Sequence, residues 1–203
     1  MNKTLLAAAV LSLSIFSCGA PSGDDAGTDA GRTDAGTDAG TAVAPTCASY
    51  CTAIMANCTG ANSQYSNQAA CLGSCSAMTQ GMTGATSGNT LSCRAYHADA
   101  APTDAALHCP HAGPAGDGAC GANCDGFCAI AVAKCSGQFA TLAACTTACT
   151  GFPTVTARYT SATTSGNSFA CRMYHLSVAA TDATSATTHC GHTTTASAPG
   201  TCQ

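Results

Sequence analysis

The stretch CASYCTAIMANC, residues 47–58, sets the pattern of the folded part of the chain. Its cysteines and larger apolar side chains recur at intervals of three and four residues, which is the spacing of one face of an α-helix. The same arrangement returns at residues 124–135, CDGFCAIAVAKC, with the cysteines in the same three places. We therefore predict two equivalent helices, the first capped by Thr46 and the second by Asn123.

The remaining cysteines follow one order in both halves of the chain. The first set is Cys47, Cys51, Cys58, Cys71, Cys75, Cys93, Cys109 and Cys120, and the second is Cys124, Cys128, Cys135, Cys145, Cys149, Cys171, Cys190 and Cys202. Thr-Ser-Gly-Asn also occurs twice, at residues 86–89 and 164–167. Such a shared order indicates a duplication. We predict an all-α fold of two tandem disulfide-stapled helical domains with long loops, residues 47–121 and 122–203.

Two C-x3-C helices in succession resemble the stapled helical hairpins of α-hairpinin peptides and small mitochondrial chaperones. The resemblance covers about thirty residues of each repeat and carries no function. It implies that the first cysteine of the first helix pairs with the last cysteine of the second helix, and that the two cysteines between them pair with each other. The implied bonds are Cys47–Cys75, Cys51–Cys71, Cys124–Cys149 and Cys128–Cys145. The other four cysteines of each repeat remain open among three connectivities, and the whole eight-cysteine pattern matches no family that we can name.

The composition limits both the core and the partners of this protein. Charged residues form 8% of the chain, with only six lysines and arginines, which excludes a basic nucleic-acid-binding surface. There is no tryptophan, and there are five phenylalanines and five tyrosines, so the core is thin. Small domains with thin cores need covalent staples. The seventeen cysteines therefore indicate disulfides and an oxidising compartment.

The N-terminus has the pattern of a signal peptide, residues 1–17. Lys3 precedes an apolar stretch from Leu5 to Phe16 that is too short to cross a membrane. Ile15-Phe16-Ser17-Cys18 resembles a bacterial lipobox, which implies cleavage before Cys18 and a lipid on its thiol. A lipoprotein of this kind has the membrane as a partner and lies in the bacterial cell envelope. Cleavage near Ala20 is the alternative, and it leaves a secreted protein.

Residues 18–46 are predicted to be a lipid anchor followed by a flexible, disordered linker. Asp-Ala-Gly occurs four times there, beginning at Asp25, Asp29, Asp34 and Asp38. Small and acidic residues cannot bury enough apolar surface to offset chain entropy. The segment is expected to act as a tether that holds the folded part away from a membrane.

All six histidines occupy equivalent positions in the two repeats: His97, His108 and His111 in the first, and His175, His189 and His192 in the second. These six are the candidate metal ligands: a trio in each repeat forms a three-nitrogen site for one zinc or copper ion in the alternative interpretation, because imidazole suits both metals. Disulfide formation removes the thiols from the ligand set. That site requires His108 and His111 to lie in a loop that a disulfide at Cys109 pins near His97. The leading, structural interpretation keeps His97 in the core and places His108 and His111 on a turn. In that interpretation Arg94 satisfies carbonyl groups.

The sequence contains few of the residues that catalytic mechanisms use. The chain has no G-x-S-x-G motif, no glutamate and no free cysteine for a Cys–His pair. We therefore identify no catalytic residue and no required cofactor. The leading interpretation is a non-enzymatic extracytoplasmic module that binds an unknown surface or extracellular ligand or has a structural role. Metal binding is the first alternative, and a secreted enzyme is the second.

Overall fold

The computed structural model describes residues 43–197 and 200–203. The predicted signal peptide, Cys18 and nearly all of the predicted linker lie outside this part. The first repeat contains α1 (Cys47–Asn57), α2 (Gln68–Cys75), α3 (Leu91–Ala100) and α4 (Ala105–Ala112). The second contains α5 (Asn123–Lys134), α6 (Leu142–Thr150), α7 (Phe169–Ala179) and α8 (Ala183–His189). Two 3-10 helices span Gly60–Asn62 and Cys190–Thr193. The described residues form isolated bridges but no strand, which confirms the all-α prediction.

The first predicted cap is confirmed and the second is wrong. The backbone N–H of Ser49 donates to Thr46 Oγ1 over 3.1 Å at the start of α1. Asn123, by contrast, is the first residue inside α5, where Asp125 Oδ2 accepts from the backbone N–H of Ala122. The Asn123 side chain accepts from the backbone of Asp117 instead, so tertiary contacts override its local capping preference.

The disulfides confirm the pairing that the hairpin resemblance implies and settle the connectivity that it left open. The hairpin bonds are Cys47–Cys75, Cys51–Cys71, Cys124–Cys149 and Cys128–Cys145. The remaining bonds are Cys58–Cys109, Cys93–Cys120, Cys135–Cys190 and Cys171–Cys202. Each bond stays within one repeat. The second group ties the helices that carry the histidines to the rest of their repeat.

Few large side chains build the core, in agreement with the composition. In the first repeat Tyr50 and Tyr65 meet edge to face, with ring centroids 6.4 Å apart, and their hydroxyls lie 3.0 Å from each other. In the second repeat the Phe127 ring lies 5.5–6.2 Å from three other phenylalanine rings. Most of the other residues in the two cores are cystines and alanines, with a few larger side chains, which are Ile54, Leu91, Ile130, Tyr159, Met173 and Leu176.

A buried arginine in each repeat holds the loop segments in place. Arg94 is fully buried, and its Nε and Nη2 donate to the carbonyl oxygens of Gly113 and Pro114. Arg172 donates in the same way to Thr194 and Cys202. Burying a charged group is costly unless its donors are satisfied. These arginines therefore replace part of the apolar core by hydrogen bonds to the backbone.

The two repeats pack against each other within one compact unit. The backbone N–H of Ser161 donates to Ser63 O over 2.8 Å. A Cβ at Gly73 of α2 would lie 2.0 Å from Ala180 O, so only glycine allows this close approach of α2 to the end of α7. None of the described helices is long and apolar enough to cross a bilayer.

Removing a disulfide is expected to destabilise the protein according to the loop that it closes. Paired substitution of Cys58 and Cys109 by alanine reopens a separation of 51 residues and should lower the free energy of unfolding by about 4 kcal/mol. The same change at Cys51 and Cys71, with a separation of 20, should cost about 3 kcal/mol. Urea titrations under non-reducing conditions give both values, and a larger loss for the shorter loop would contradict the argument.

Candidate metal centre

Each trio of histidines converges on one place. We call His97, His108 and His111 cluster 1, and His175, His189 and His192 cluster 2. In each cluster every histidine offers a ring nitrogen, and the three nitrogens all lie within 4.8 Å of one another. The structure thus brings together all six histidines that the sequence pattern identifies, three in each repeat.

Helices, not loops, position the two histidines that flank a cysteine in the first repeat. The expectation of a loop is wrong there, because residues 105–112 form α4, with Asp104 accepting from the backbone N–H of Leu107 at its start. His108 and His111 are three residues apart and so share one face of α4. The Cys58–Cys109 bond fixes that face against α1.

The second repeat reaches the same arrangement with different local structure. Asp182 accepts from the backbone N–H of Ser185 at the start of α8, and His189 is the last residue of that helix. His192 lies in the 3-10 helix that follows. Two different backbone shapes therefore present the same histidine pattern.

Pro110 lies inside α4. Proline inside a helix removes a donor and frees the carbonyl four residues earlier, so its presence argues against a helix. That carbonyl belongs to Ala106, and here it accepts from Arg158 Nη1 over 2.6 Å. A donor from the second repeat thus replaces the hydrogen bond that Pro110 cannot make.

A backbone carbonyl sets the protonation of the central histidine in each cluster. His97 Nε2 lies 3.2 Å from Thr86 O, and His175 Nε2 lies 3.1 Å from Thr164 O. A carbonyl only accepts, so Nε2 carries the proton and Nδ1 of the neutral ring has a free lone pair. Metal-binding histidines commonly have their second nitrogen held in this way.

The free Nδ1 atoms face the other rings of their cluster. His97 Nδ1 lies 2.9 Å from His108 Nδ1. In cluster 2, His175 Nδ1 lies 2.8 Å from His189 Nδ1 and 3.4 Å from His192 Nδ1. Without a metal, an Nδ1–H of a neighbouring ring donates to the free Nδ1 of the central histidine; loss of that proton on metal binding would direct the ring nitrogens at one small volume.

His111 completes cluster 1 with a nitrogen that has no protein partner. Its Nδ1 is buried and makes no hydrogen bond, while its Nε2 lies 3.9 Å from Asp117 Oδ2. Buried polar atoms almost always have partners, so an unpaired one needs an explanation. A bound cation would satisfy it.

Burial favours the neutral form of four of the histidines in the clusters. Desolvation lowers the pKa of His97, His111, His175 and His189 below the ordinary value, and in each a neighbouring histidine lowers it further. Neutral imidazole is the form that binds a metal. The lowered pKa therefore keeps these four rings in the binding form near neutral pH.

The ligand set contains nitrogen only. Cys93 and Cys120 lie near His97, and Cys171 and Cys202 lie near His175, but each pair forms a disulfide and has no thiolate to offer. Tyr96 and Tyr174 place their rings edge to face against the neighbouring histidines, with centroids 5.2 Å apart. These tyrosines therefore cover one side of the central histidine.

Sequence reasoning missed the threonine carbonyls and the Asp117–Arg158 pair. The repeated Thr-Ser-Gly-Asn segment was a usable signal, because Thr86 and Thr164 are its first residues and accept from the central histidines. Asp117 and Arg158 gave no such signal, since neither recurs in the other repeat.

Comparison with known proteins identifies one matching family and several relatives. Residues 25–125 match the model of the BfoA family C-terminal domain. Aurasperone B biosynthesis cluster protein A from Aspergillus niger is 48% identical over 64 residues, which are 31% of this chain and 21% of that protein. Bifonsecin B biosynthesis cluster protein A from Aspergillus brasiliensis is 45% identical over 64 residues, 31% of this chain and 22% of that protein. No solved structure matches.

These matches correct the interpretation of the N-terminus. The relatives are fungal, so the interpretation of Ile15-Phe16-Ser17-Cys18 as a bacterial lipobox is wrong, and Cys18 itself lies outside the described residues. The statement that the eight-cysteine pattern matches no family is wrong as well. The chain spans about a fifth of the length of these relatives. Residues 25–125, which contain the first repeat, are thus similar to the BfoA family C-terminal domain.

Proposed function

We propose that this protein is an exported, non-enzymatic metal-binding protein that holds one zinc or copper ion in each histidine cluster. One observation carries the proposal. In both repeats a buried histidine donates Nε2–H to a threonine carbonyl and turns its free Nδ1 toward two further histidines. The repeats differ at most other positions and in the backbone around the flanking histidines, so this shared geometry points to a shared task.

The dimensions of the clusters support a small cation. Zinc binds imidazole nitrogen at about 2.0–2.1 Å, which places tetrahedral ligands about 3.3 Å from one another. The Nδ1 separations of 2.8, 2.9 and 3.4 Å lie within about half an ångström of that value. Small ring rotations are therefore enough to admit an ion. Three protein ligands leave a fourth position for water.

The ligand chemistry supports zinc or copper over other ions. Imidazole suits both metals, whereas calcium and magnesium require several oxygen ligands. Asp117 is the one carboxylate that lies within 4 Å of a cluster ring among the described residues. With no thiolate available, the sites are all-nitrogen centres.

The disulfides support export to an oxidising compartment. Eight disulfides in a chain of this size are typical of secreted proteins and rare in reducing compartments. The relatives are named as biosynthesis cluster proteins. A secreted accessory protein that holds metal, with no glutamate and no nucleophile motif of its own, agrees with both observations.

Metal stoichiometry tests the proposal. The full chain is expected to bind about two equivalents of Zn²⁺ or Cu²⁺ under non-reducing conditions, one for each three-histidine site. His108→Ala and His189→Ala should each reduce this to about one, and the double variant should bind none. Both positions are only partly buried and neither ring bonds to the backbone, so the fold should tolerate the changes. Circular dichroism of the metal-free variants is the control, and a folded wild-type chain without metal affinity would refute the proposal.

X-ray absorption of the loaded protein tests the ligand set. We expect three or four light-atom neighbours at about 2.0–2.1 Å and no sulfur at about 2.3 Å. All cysteines of the described residues are in disulfides, so a sulfur shell would contradict the assignment.

The metal-free protein is expected to lose stability as the pH falls from about 7 to about 5. Burial lowers the pKa of His97 and His175 in the folded state, while in the unfolded chain it stays near 6.5. The unfolded chain therefore binds more protons in this window, and the free energy of unfolding falls with pH below about 6.5 until the folded-state pKa is reached. Urea midpoints in chelator-containing buffer measure the trend. It should be shallower in His97→Asn/His175→Asn, and an increase in stability toward pH 5 would contradict it.

A further inference from the structure

Cluster 1 has a neighbouring carboxylate that cluster 2 lacks. Asp117 Oδ2 lies 3.9 Å from His111 Nε2 and 3.3 Å from Arg158 Nε, and its side chain is 13% exposed. His192 is the equivalent of His111 in cluster 2. Within the described part of the second repeat, no carboxylate oxygen lies within 4 Å of a His192 ring nitrogen.

The position of this carboxylate is fixed from two sides. Asp117 has a left-handed backbone conformation, with φ of 46°, and its N–H donates to Asn123 Oδ1 over 3.1 Å. Arg158 pairs with the carboxylate and also donates to Ala106 O, the carbonyl that Pro110 leaves free in α4. The carboxylate is therefore held relative to the helix that carries His108 and His111.

The orientation of His111 gives the carboxylate a specific effect. Its Nε2 faces Asp117, and its buried, unpaired Nδ1 is the nitrogen left to face the cluster. A negative charge near Nε2 favours the proton on that nitrogen and leaves the lone pair on Nδ1. It also makes the ring a stronger ligand through its charge, across a separation of 3.9 Å that is longer than a hydrogen bond. Outer partners that hydrogen-bond a ligating histidine commonly change metal affinity by about 10- to 100-fold.

We infer that Asp117 is a positioning residue for His111 and that it makes the two clusters unequal, with cluster 1 binding its metal ion more tightly. This inference rests on the proposed metal-binding function. Asp117 acts through the His111 ring and does not contact the ion. Because Arg158 belongs to the second repeat, the stronger site depends on the packing of both repeats.

Two single-site proteins isolate the clusters for the test. The full chain with His189→Ala retains cluster 1, and the full chain with His108→Ala retains cluster 2. Competition for Zn²⁺ against a chromogenic chelator should show about 10- to 100-fold tighter binding in the protein that retains cluster 1. Adding Asp117→Asn there should remove that advantage, whereas the same change in the protein that retains cluster 2 should leave its affinity unchanged.

Asparagine is a matched replacement at this position. It has nearly the same shape, tolerates a positive φ and keeps the backbone donor to Asn123, so it removes only the charge. The absorption spectrum of Co²⁺ in the protein that retains cluster 1 gives a second readout. It should shift with Asp117→Asn, a change that a general loss of stability would not produce.

The outcomes separate this inference from the function on which it rests. Equal Zn²⁺ affinities in the two single-site proteins, or an unchanged affinity after Asp117→Asn, would overturn the role of Asp117 and leave metal binding intact. Absence of Zn²⁺ binding in both single-site proteins would overturn the metal-binding proposal and this inference together.

Discussion

The disulfides are the constraint on which the rest of this structure depends. A chain with no tryptophan and few other aromatic residues cannot bury enough apolar surface to hold the eight short helices of its described residues in place. Four bonds in each repeat supply what the thin core lacks, by joining helices that otherwise share few large side chains. The buried arginines add directional hydrogen bonds to loop carbonyls, which complete the packing where no apolar group is available.

The same bonds shape the histidine clusters. Cys93–Cys120 and Cys58–Cys109 hold α3 and α4, so the three rings of cluster 1 meet with little freedom to separate. Pairing of the cysteines also removes sulfur from the ligand set and leaves imidazole as the only donor. Burial favours neutral rings, and the threonine carbonyls select the nitrogen that remains free. The cysteine pattern therefore has two effects: its disulfides hold the helices together, and they leave the histidines without thiolate neighbours.

Duplication did not leave the two repeats equivalent. Pro110 interrupts the hydrogen bonding of α4, and Arg158 of the second repeat donates to the carbonyl that it frees. Arg158 also pairs with Asp117, which lies beside His111. The second repeat has no counterpart of this chain of contacts among its described residues. A residue of the second repeat, Arg158, therefore contacts the carboxylate beside cluster 1, and cluster 2 has no such contact among the described residues.

The sequence by itself determined the repeated order of cysteines, the helical faces and the equivalent positions of the six histidines, because periodicity and spacing are local properties of a chain. With the hairpin resemblance it also indicated the first two bonds of each repeat. Only the tertiary structure decided that Cys58 joins Cys109, that residues 105–112 are helical despite Pro110, and that Asn123 does not cap α5. It alone placed Thr86 O and Asp117 beside the histidines. These features depend on partners up to 52 residues away, such as Arg158 for Ala106, and local sequence patterns contain no record of such contacts.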